Sequence, residues 1–186
     1  MLIKKMFFLA ALVALLVPGA DAQKLFTRSG KVSFNATAPA SPEVIEANHT
    51  SGTFVLDQAT GNLEMAVLIK GFSFERALMQ EHFNENYMES SKFPKATFKG
   101  KLDNVSEVNF AKDGTYTTNV SGNLSIHGVT KKVSTPVIVT LKGGAVTAAT
   151  KFDLILKDYG IEVPSLVADK VGKQATLAVA VDLKPM

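Results

Sequence analysis

Three histidines, His49, His82 and His127, are the first places to look for chemistry in this chain. Imidazole serves as a general base or a metal ligand, but both roles need partners gathered in one pocket. The three lie far apart, and no H-x-H or H-E-x-x-H spacing joins any two of them. There is no cysteine, so no thiol nucleophile and no disulfide. No G-x-S-x-G elbow and no phosphate-cradling glycine loop occurs either. The sequence therefore assigns no catalytic residue, no metal ligand and no cofactor.

His127 sits in "SGNLSIHGVTKK", Ser121 to Lys132. It shares a face with Ser121, Asn123 and Ser125, opposite Leu124 and Ile126. Side chains alternate across a strand, so if Leu124 and Ile126 point inward, His127 points out. It is expected on the polar surface at a hairpin end, where Gly128 begins the turn. An enzyme built on His127, His82 or Tyr159 would need two of them to converge on one cavity.

The elements that must position these residues follow a period of two. Val120, Gly122, Leu124, Ile126 and Gly128 alternate with polar residues; so do Leu63, Met65, Val67 and Ile69, and Ala175, Leu177, Val179, Val181 and Leu183. This is the pattern of strands with one buried and one wet face, common in antiparallel sheets. Gly61-Asn62, Asp113-Gly114 and Gly143-Gly144 separate the runs as hairpin turns do. Strands are expected near 30–38, 52–57, 62–73, 95–104, 115–127, 132–141, 145–157 and 172–183. Eight of them, several long, predict an all-β fold: an extended antiparallel up-and-down barrel. One segment breaks the period. "ERALMQEHFNENYMES" carries Met79, Phe83 and Tyr87 at i, i+4 and i+8 and predicts a helical piece near residues 75–91. Ser73 is the expected cap, and Phe93-Pro94 the expected stop.

Residues 1–22 read as a cleaved secretory signal. Lys4 and Lys5 precede an apolar run from Met6 to Val17, Pro18-Gly19 breaks it, and Ala20-Asp21-Ala22 is an A-x-A cleavage pattern. Residues 23–186 then form one domain, expected in the periplasm or outside the cell. Without Lys4, Lys5 and Asp21 of the leader the net charge is +2, a balance that points neither to nucleic acid nor to an acidic membrane surface as a partner, and no stable membrane insertion is expected. Asn-x-Ser/Thr triplets at Asn35, Asn48, Asn104, Asn119 and Asn123 are what a strand-rich chain full of Asn, Ser and Thr produces by chance.

The inward phase of the strands predicts a cavity lining of Phe34, Met65, Val67, Phe98, Leu124, Ile126, Val137, Val139, Phe152, Leu154, Leu177 and Val179. Met79 and Phe83 of the helical piece are expected near its mouth. Small inward residues, Ala36, Ala96, Gly100, Gly122 and Gly128, are expected to leave volume inside. Two other readings are a filled barrel without ligand, serving as a secreted interaction or stress protein, and a lipid-modifying enzyme.

"KFPKATFKGKL" from Lys92, "SGNLSIHGVTKKVSTPVIV" from Ser121, "KFDLILKDYGIEVP" from Lys151 and the closing "VGKQATLAVAVDL" together resemble the YceI-like family of exported, lipocalin-like barrel proteins. Their order and spacing carry the likeness across nearly the whole domain. It implies a barrel that holds a long apolar lipid, typically a polyisoprenoid, with no family-wide catalytic set. The implied function is carriage, storage or scavenging by a monomer or homodimer. The helix-to-strand stretch of the family matches Tyr87, Met88, Glu89, Phe93 and Pro94, with Met88 replacing an aromatic residue. Asp158-Tyr159-Gly160 also departs from the common pattern.

Overall fold

The computed structural model describes residues 24–186, so the expected leader lies outside the described residues. The strands are β1 (Lys24–Thr37), β2 (Glu46–Asp57), β3 (Asn62–Leu68), β4 (Lys95–Leu102), β5 (Gly114–Ile126), β6 (Val129–Lys142), β7 (Ala145–Ile155) and β8 (Val171–Pro185). Each pairs antiparallel with the next, and β8 returns to β1 through pairs such as Val32↔Val179 and Phe34↔Leu177. The result is the closed up-and-down barrel that the alternation implies.

Turn chemistry sets the register. Gly143 and Gly144 have φ of 57° and 80° between paired Lys142 and Ala145, a two-residue turn with positive φ at both positions. His127 and Gly128, at 51° and 76°, make the same turn between paired Ile126 and Val129. Histidine is an unusual residue for that place, and its ring explains its presence below.

Strand edges depart from expectation. β2 begins at Glu46 rather than near 52, because "EANHTS" puts only Ala47 and the ring of His49 inward and shows no apolar alternation. β3 ends at Leu68, and Ile69–Gly71 coil into a 3-10 turn. The helical piece is shorter than expected. A six-residue helix, α1 (Ala77–His82), leads into one π-helical turn, Phe83–Tyr87. Its N-cap is Arg76 without a side-chain cap bond, not Ser73. Asn84 donates to the Gln80 carbonyl at 2.9 Å, and the Met88 amide reaches back to Phe83 at 2.9 Å. A side chain that competes for backbone carbonyls loosens the turn.

Two seams of the barrel are unzipped towards the helical end. β2 and β3 pair only from Thr53↔Ala66 to Leu56↔Leu63. Beyond that point Asn48 and Ser73 exchange two backbone bonds, 3.1 and 2.8 Å, and buried His49 packs against Phe72 with ring centroids 5.2 Å apart. β6 and β7 pair only from Lys142↔Ala145 to Val137↔Thr150, while β6 stays paired to β5 back to Val129. Pro136 is the reason. Thr150 Oγ1 donates to its carbonyl at 2.7 Å, so that residue's nitrogen faces β7 as well and offers no hydrogen.

His49 is 1 % exposed. Its Nδ1 accepts from the Ser51 amide at 3.2 Å, and Nε2 has no hydrogen-bond partner. Burial lowers its pKa below the ordinary histidine value of 6.5, against a weaker opposing pull from the Leu68 backbone. The folded state therefore binds fewer protons than the unfolded chain below pH 6.5. This contribution is fully present above that pH and is lost as pH falls from 6.5 towards the lowered folded value. Urea unfolding from pH 7.5 to pH 5 should show wild-type stability falling, and His49→Gln should flatten that fall; equal slopes would refute the assignment.

Candidate functional site

The barrel is hollow. A cavity of about 510 Å³ runs from the helical end down most of its length. That is within the range of about 300–1,000 Å³ usual for small-molecule sites. The twelve strand residues expected to face inward, Phe34, Met65, Val67, Phe98, Leu124, Ile126, Val137, Val139, Phe152, Leu154, Leu177 and Val179, lie on its wall, as do Met79 and Phe83, expected near the mouth. At the far end Leu25, Val108, Leu141 and Val146 are buried and stand outside the wall, closing the bottom.

The helical end is the mouth. Residues 38–45, 69–94, 127–128 and 156–170 connect strands there. Four phenylalanines form the neck. Phe34 stacks on Phe83, centroids 5.2 Å apart with planes at 19°, and meets Phe72 and Phe74 edge-on at 5.6 and 5.7 Å. Phe74 and Phe83 stand 5.0 Å apart. Phe72 and Phe74 were not among the residues expected here. Their signal was "GFSFE", a short period-two run at the edge of the helical stretch. Met88 is buried on the wall, a flexible side chain that can fill an irregular gap. Tyr87 also lines the wall, and burial raises its pKa, keeping the phenol neutral.

The wall is apolar with few exceptions. Thr135 and Thr150 lie 3.2 Å apart, and the Pro136 carbonyl takes the Thr150 hydroxyl, so these groups are spent on the wall itself. Glu43, Arg76, His82 and Lys170 line only the mouth. Glu43 joins two of them: Arg76 Nη1 at 2.7 Å and Lys170 Nζ at 3.5 Å.

The small inward residues divide. Ala36 and Ala96 do line the cavity. Gly100 and Gly122 do not add volume, which corrects the expectation. They face each other across β4 and β5, and a Cβ on either would overlap the Phe98 ring. Gly30 and Gly52, paired across β1 and β2, seat Phe54 in the same way. A Cβ at Gly128 would meet Phe93. Glycine here makes room for a ring laid against bent strands.

The expectation for His127 is also corrected. It leaves the cavity, but it is no solvated surface residue: its side chain is 12 % exposed. At a turn the strand's in-and-out alternation ends, so parity no longer sets the direction. Nδ1–H donates to the Tyr159 carbonyl at 3.2 Å, Nε2 lies 3.0 Å from Glu89 Oε2, and Phe93 packs edge-on at 4.7 Å. Glu89 itself has φ of 41°. The ring thus ties together the β5–β6 turn, the exit of the helical piece and the 3-10 turn Leu156–Tyr159. Tyr159 is buried, and burial followed by nearby Asp158 raises its pKa. His127, Glu89 and Tyr159 meet outside the cavity; His82 stands at the mouth and His49 behind Phe72. Among the described residues, no group of three His, Asp or Glu is placed to hold a metal.

A closed antiparallel barrel with an apolar interior and a polar opening defines the class: a hollow β-barrel of the lipocalin-like type. The chain belongs to the YceI-like domain family, whose model matches residues 24–183. No curated protein matches it by sequence. A polyisoprenoid binding domain from Saccharophagus degradans, implicated in plant cell wall breakdown, shares the fold with a TM-score of 0.75 at 13% identity, over 89% of this chain and 99% of that one. BcnA of Burkholderia cenocepacia shares it with a TM-score of 0.66 at 16% identity, over 83% and 96%.

Two substitutions probe the site. His127→Ala removes both ring hydrogen bonds and the Phe93 contact and leaves a non-glycine residue at positive φ; urea unfolding should show a loss of about 1–2 kcal/mol. His127→Gly keeps the turn relaxed and should lose less. If both match wild type, the ring ties nothing together. Phe98 lays the tip of its ring over Gly100 and Gly122 and also lines the cavity. Phe98→Ala should therefore cost less than the roughly 3–5 kcal/mol of a fully packed phenylalanine, while affinity for an apolar probe changes severalfold. A full core penalty with unchanged probe binding would contradict this.

Proposed function

We propose that this protein is an exported, non-enzymatic binding protein that encloses a long apolar lipid of isoprenoid type. The cavity carries the reading: about 510 Å³, walled by aliphatic and phenyl groups, with charged groups only at its mouth. Such a wall favours an apolar chain and offers no paired acid and base along its depth. Membership of the YceI-like family and the likeness to a polyisoprenoid binding domain support the ligand class. The leader-like residues 1–22 support export to the periplasm or beyond, with the domain starting at Gln23.

Energetics bound the ligand. Each buried methylene is worth about 0.8 kcal/mol, so a five-carbon isoprene unit contributes roughly 3 kcal/mol. Eight units fully buried would exceed the ceiling of about 20 kcal/mol for noncovalent binding. Ordering the chain offsets part of this, or the cavity encloses only part of a long tail.

Protein purified from its own host should be analysed by native mass spectrometry and, after organic extraction, by lipid mass spectrometry. The expected result is a chain starting at Gln23 with an isoprenoid lipid bound. A chain starting at Met1 would refute export with cleavage. An empty barrel that also fails to take up a fluorescent prenol would refute the ligand class.

A further inference from the structure

The cavity ends abruptly, and the strand register shows where. Val139, Ala148 and Val181 pair in one row across β6, β7 and β8, and all three line the cavity. In the next inward row down, Leu141, Val146 and Leu183 pair in the same way, and only Leu183 still lines it. Where β1 meets β2, Leu25 pairs with Leu56; Leu56 is on the wall and Leu25 is not. Leu25, Leu141 and Val146 are 2%, 4% and 3% exposed, so what lies below the floor is packed protein. Upward from the floor, β8 lines the cavity at every second residue: Leu183, Val181, Val179, Leu177 and Ala175. From the first to the last is about 26 Å along the strand at roughly 3.3 Å per residue, and about 20 Å of depth at a barrel tilt of about 35–45°. Spread over that depth, the cavity volume of about 510 Å³ leaves a mean cross-section of about 25 Å². One hydrocarbon chain fits that width; two side by side, held apart by carbon contacts of about 3.5–4.0 Å, do not.

We propose that this floor is a length stop: the cavity takes one apolar chain tail first, encloses a fixed number of its carbons, and leaves the rest of any longer chain outside the mouth. The proposal rests on the ligand reading above. A zigzag of carbon–carbon bonds about 1.5 Å long advances about 1.3 Å per carbon, so the enclosed length is about sixteen main-chain carbons, or about four isoprene units. The direction follows from the two ends. The floor is hydrocarbon alone, Leu56, Leu102, Val181 and Leu183, and a hydroxyl placed there would lose its hydrogen bonds. The mouth carries the charged groups, so the polar end of the ligand stays there. A methylene driven past Leu183 would have to overpack Leu141 and Val146, which are already close-packed. A methylene left at the mouth stays in water. Each added carbon therefore strengthens binding until the tail meets the floor, and none does afterwards. Two residues set that point. Leu183 is part of the floor itself, and Ala148, one row higher, is the small residue between Val139 and Val181.

The test is displacement of a fluorescent prenol by straight-chain 1-alkanols running from half the enclosed length to well beyond twice it, with affinities referred to free alkanol in water. In wild type, affinity should rise up to about fourfold per added methylene and level off at about sixteen carbons. Leu183→Ala deepens the floor and should move the break about two carbons longer. Ala148→Leu fills the row above the floor and should move it about two carbons shorter. Alkanols too short to reach the floor should bind both variants as they bind wild type. If Leu183→Ala does not fold, Ala148→Leu decides alone, because its longer side chain enters open space. A uniform loss of affinity at every length, with the break unmoved, would make these residues structural and overturn the proposal. So would an affinity that climbs through the whole series, or a break at about twice the length, which would mean a chain doubled back on itself. In each of those cases alkanols still bind, and the ligand reading stands. A protein that takes up neither prenol nor any alkanol would sink the ligand reading, and the length stop with it.

Discussion

A barrel that keeps a cavity open gives up the dispersion contacts that ordinarily fill a domain of this size. Everything else in the structure answers to that constraint. The ladder closes on itself through β8 and β1, so the backbone bonds of the wall have no terminal edge strand. The bottom is packed solid with Leu25, Leu141 and Val146. The neck is held by rings rather than by a long helix: Phe34, Phe72, Phe74 and Phe83 pack on one another under a helix of only six residues. Glycine pairs let strands bend while Phe54 and Phe98 cover them. The space that remains is what full packing would have removed.

The polar groups sort by the same logic. An apolar interior disfavours unpaired charge, and the charged residues on the wall stand only at its mouth. The histidine with the richest set of contacts, His127, serves outside, where it ties three connecting segments to one another. Its two ring nitrogens meet a backbone carbonyl and a carboxylate, which is the work of a fastener. His49 fills a gap in the wall where β2 and β3 part. Two residues of the same kind thus hold the scaffold by opposite means, one through hydrogen bonds and one through burial.

Much of this was legible in the sequence because a strand's side chains alternate with a period of two. Once Leu124 and Ile126 are set inward, the phase of β5 follows, and each neighbouring strand repeats the argument. The fourteen wall residues come from that parity and from one helical stripe. What parity could not show lies where the period fails. "EANHTS" has no apolar alternation, so the first half of β2 was invisible. The π-helical turn, closed by the Met88 amide on the Phe83 carbonyl beside the Asn84–Gln80 bond, is something no spacing announces. The direction of His127 depends on turn geometry rather than pleat. The fate of Gly100 and Gly122 depends on where a ring two residues away comes to rest.

Pro136 has a reach beyond its own rung. From Val129 to Thr135, β6 is bonded to β5 alone, and the span from Lys151 to Ile155 of β7 is bonded to β8 alone. The two spans are linked by side chains and a turn, chiefly His127 to the Tyr159 carbonyl and Lys131 to Asp158 at 3.4 Å. Cooperativity in a sheet passes through its ladder, so the barrel is not one unit of equal strength. The tip of the β5–β6 hairpin can part from its neighbour without breaking a backbone bond, while the half nearer the plugged bottom cannot. One proline thereby leaves the β6–β7 side of the opening fastened by side chains alone, while the same seam nearer the bottom is fastened by its ladder.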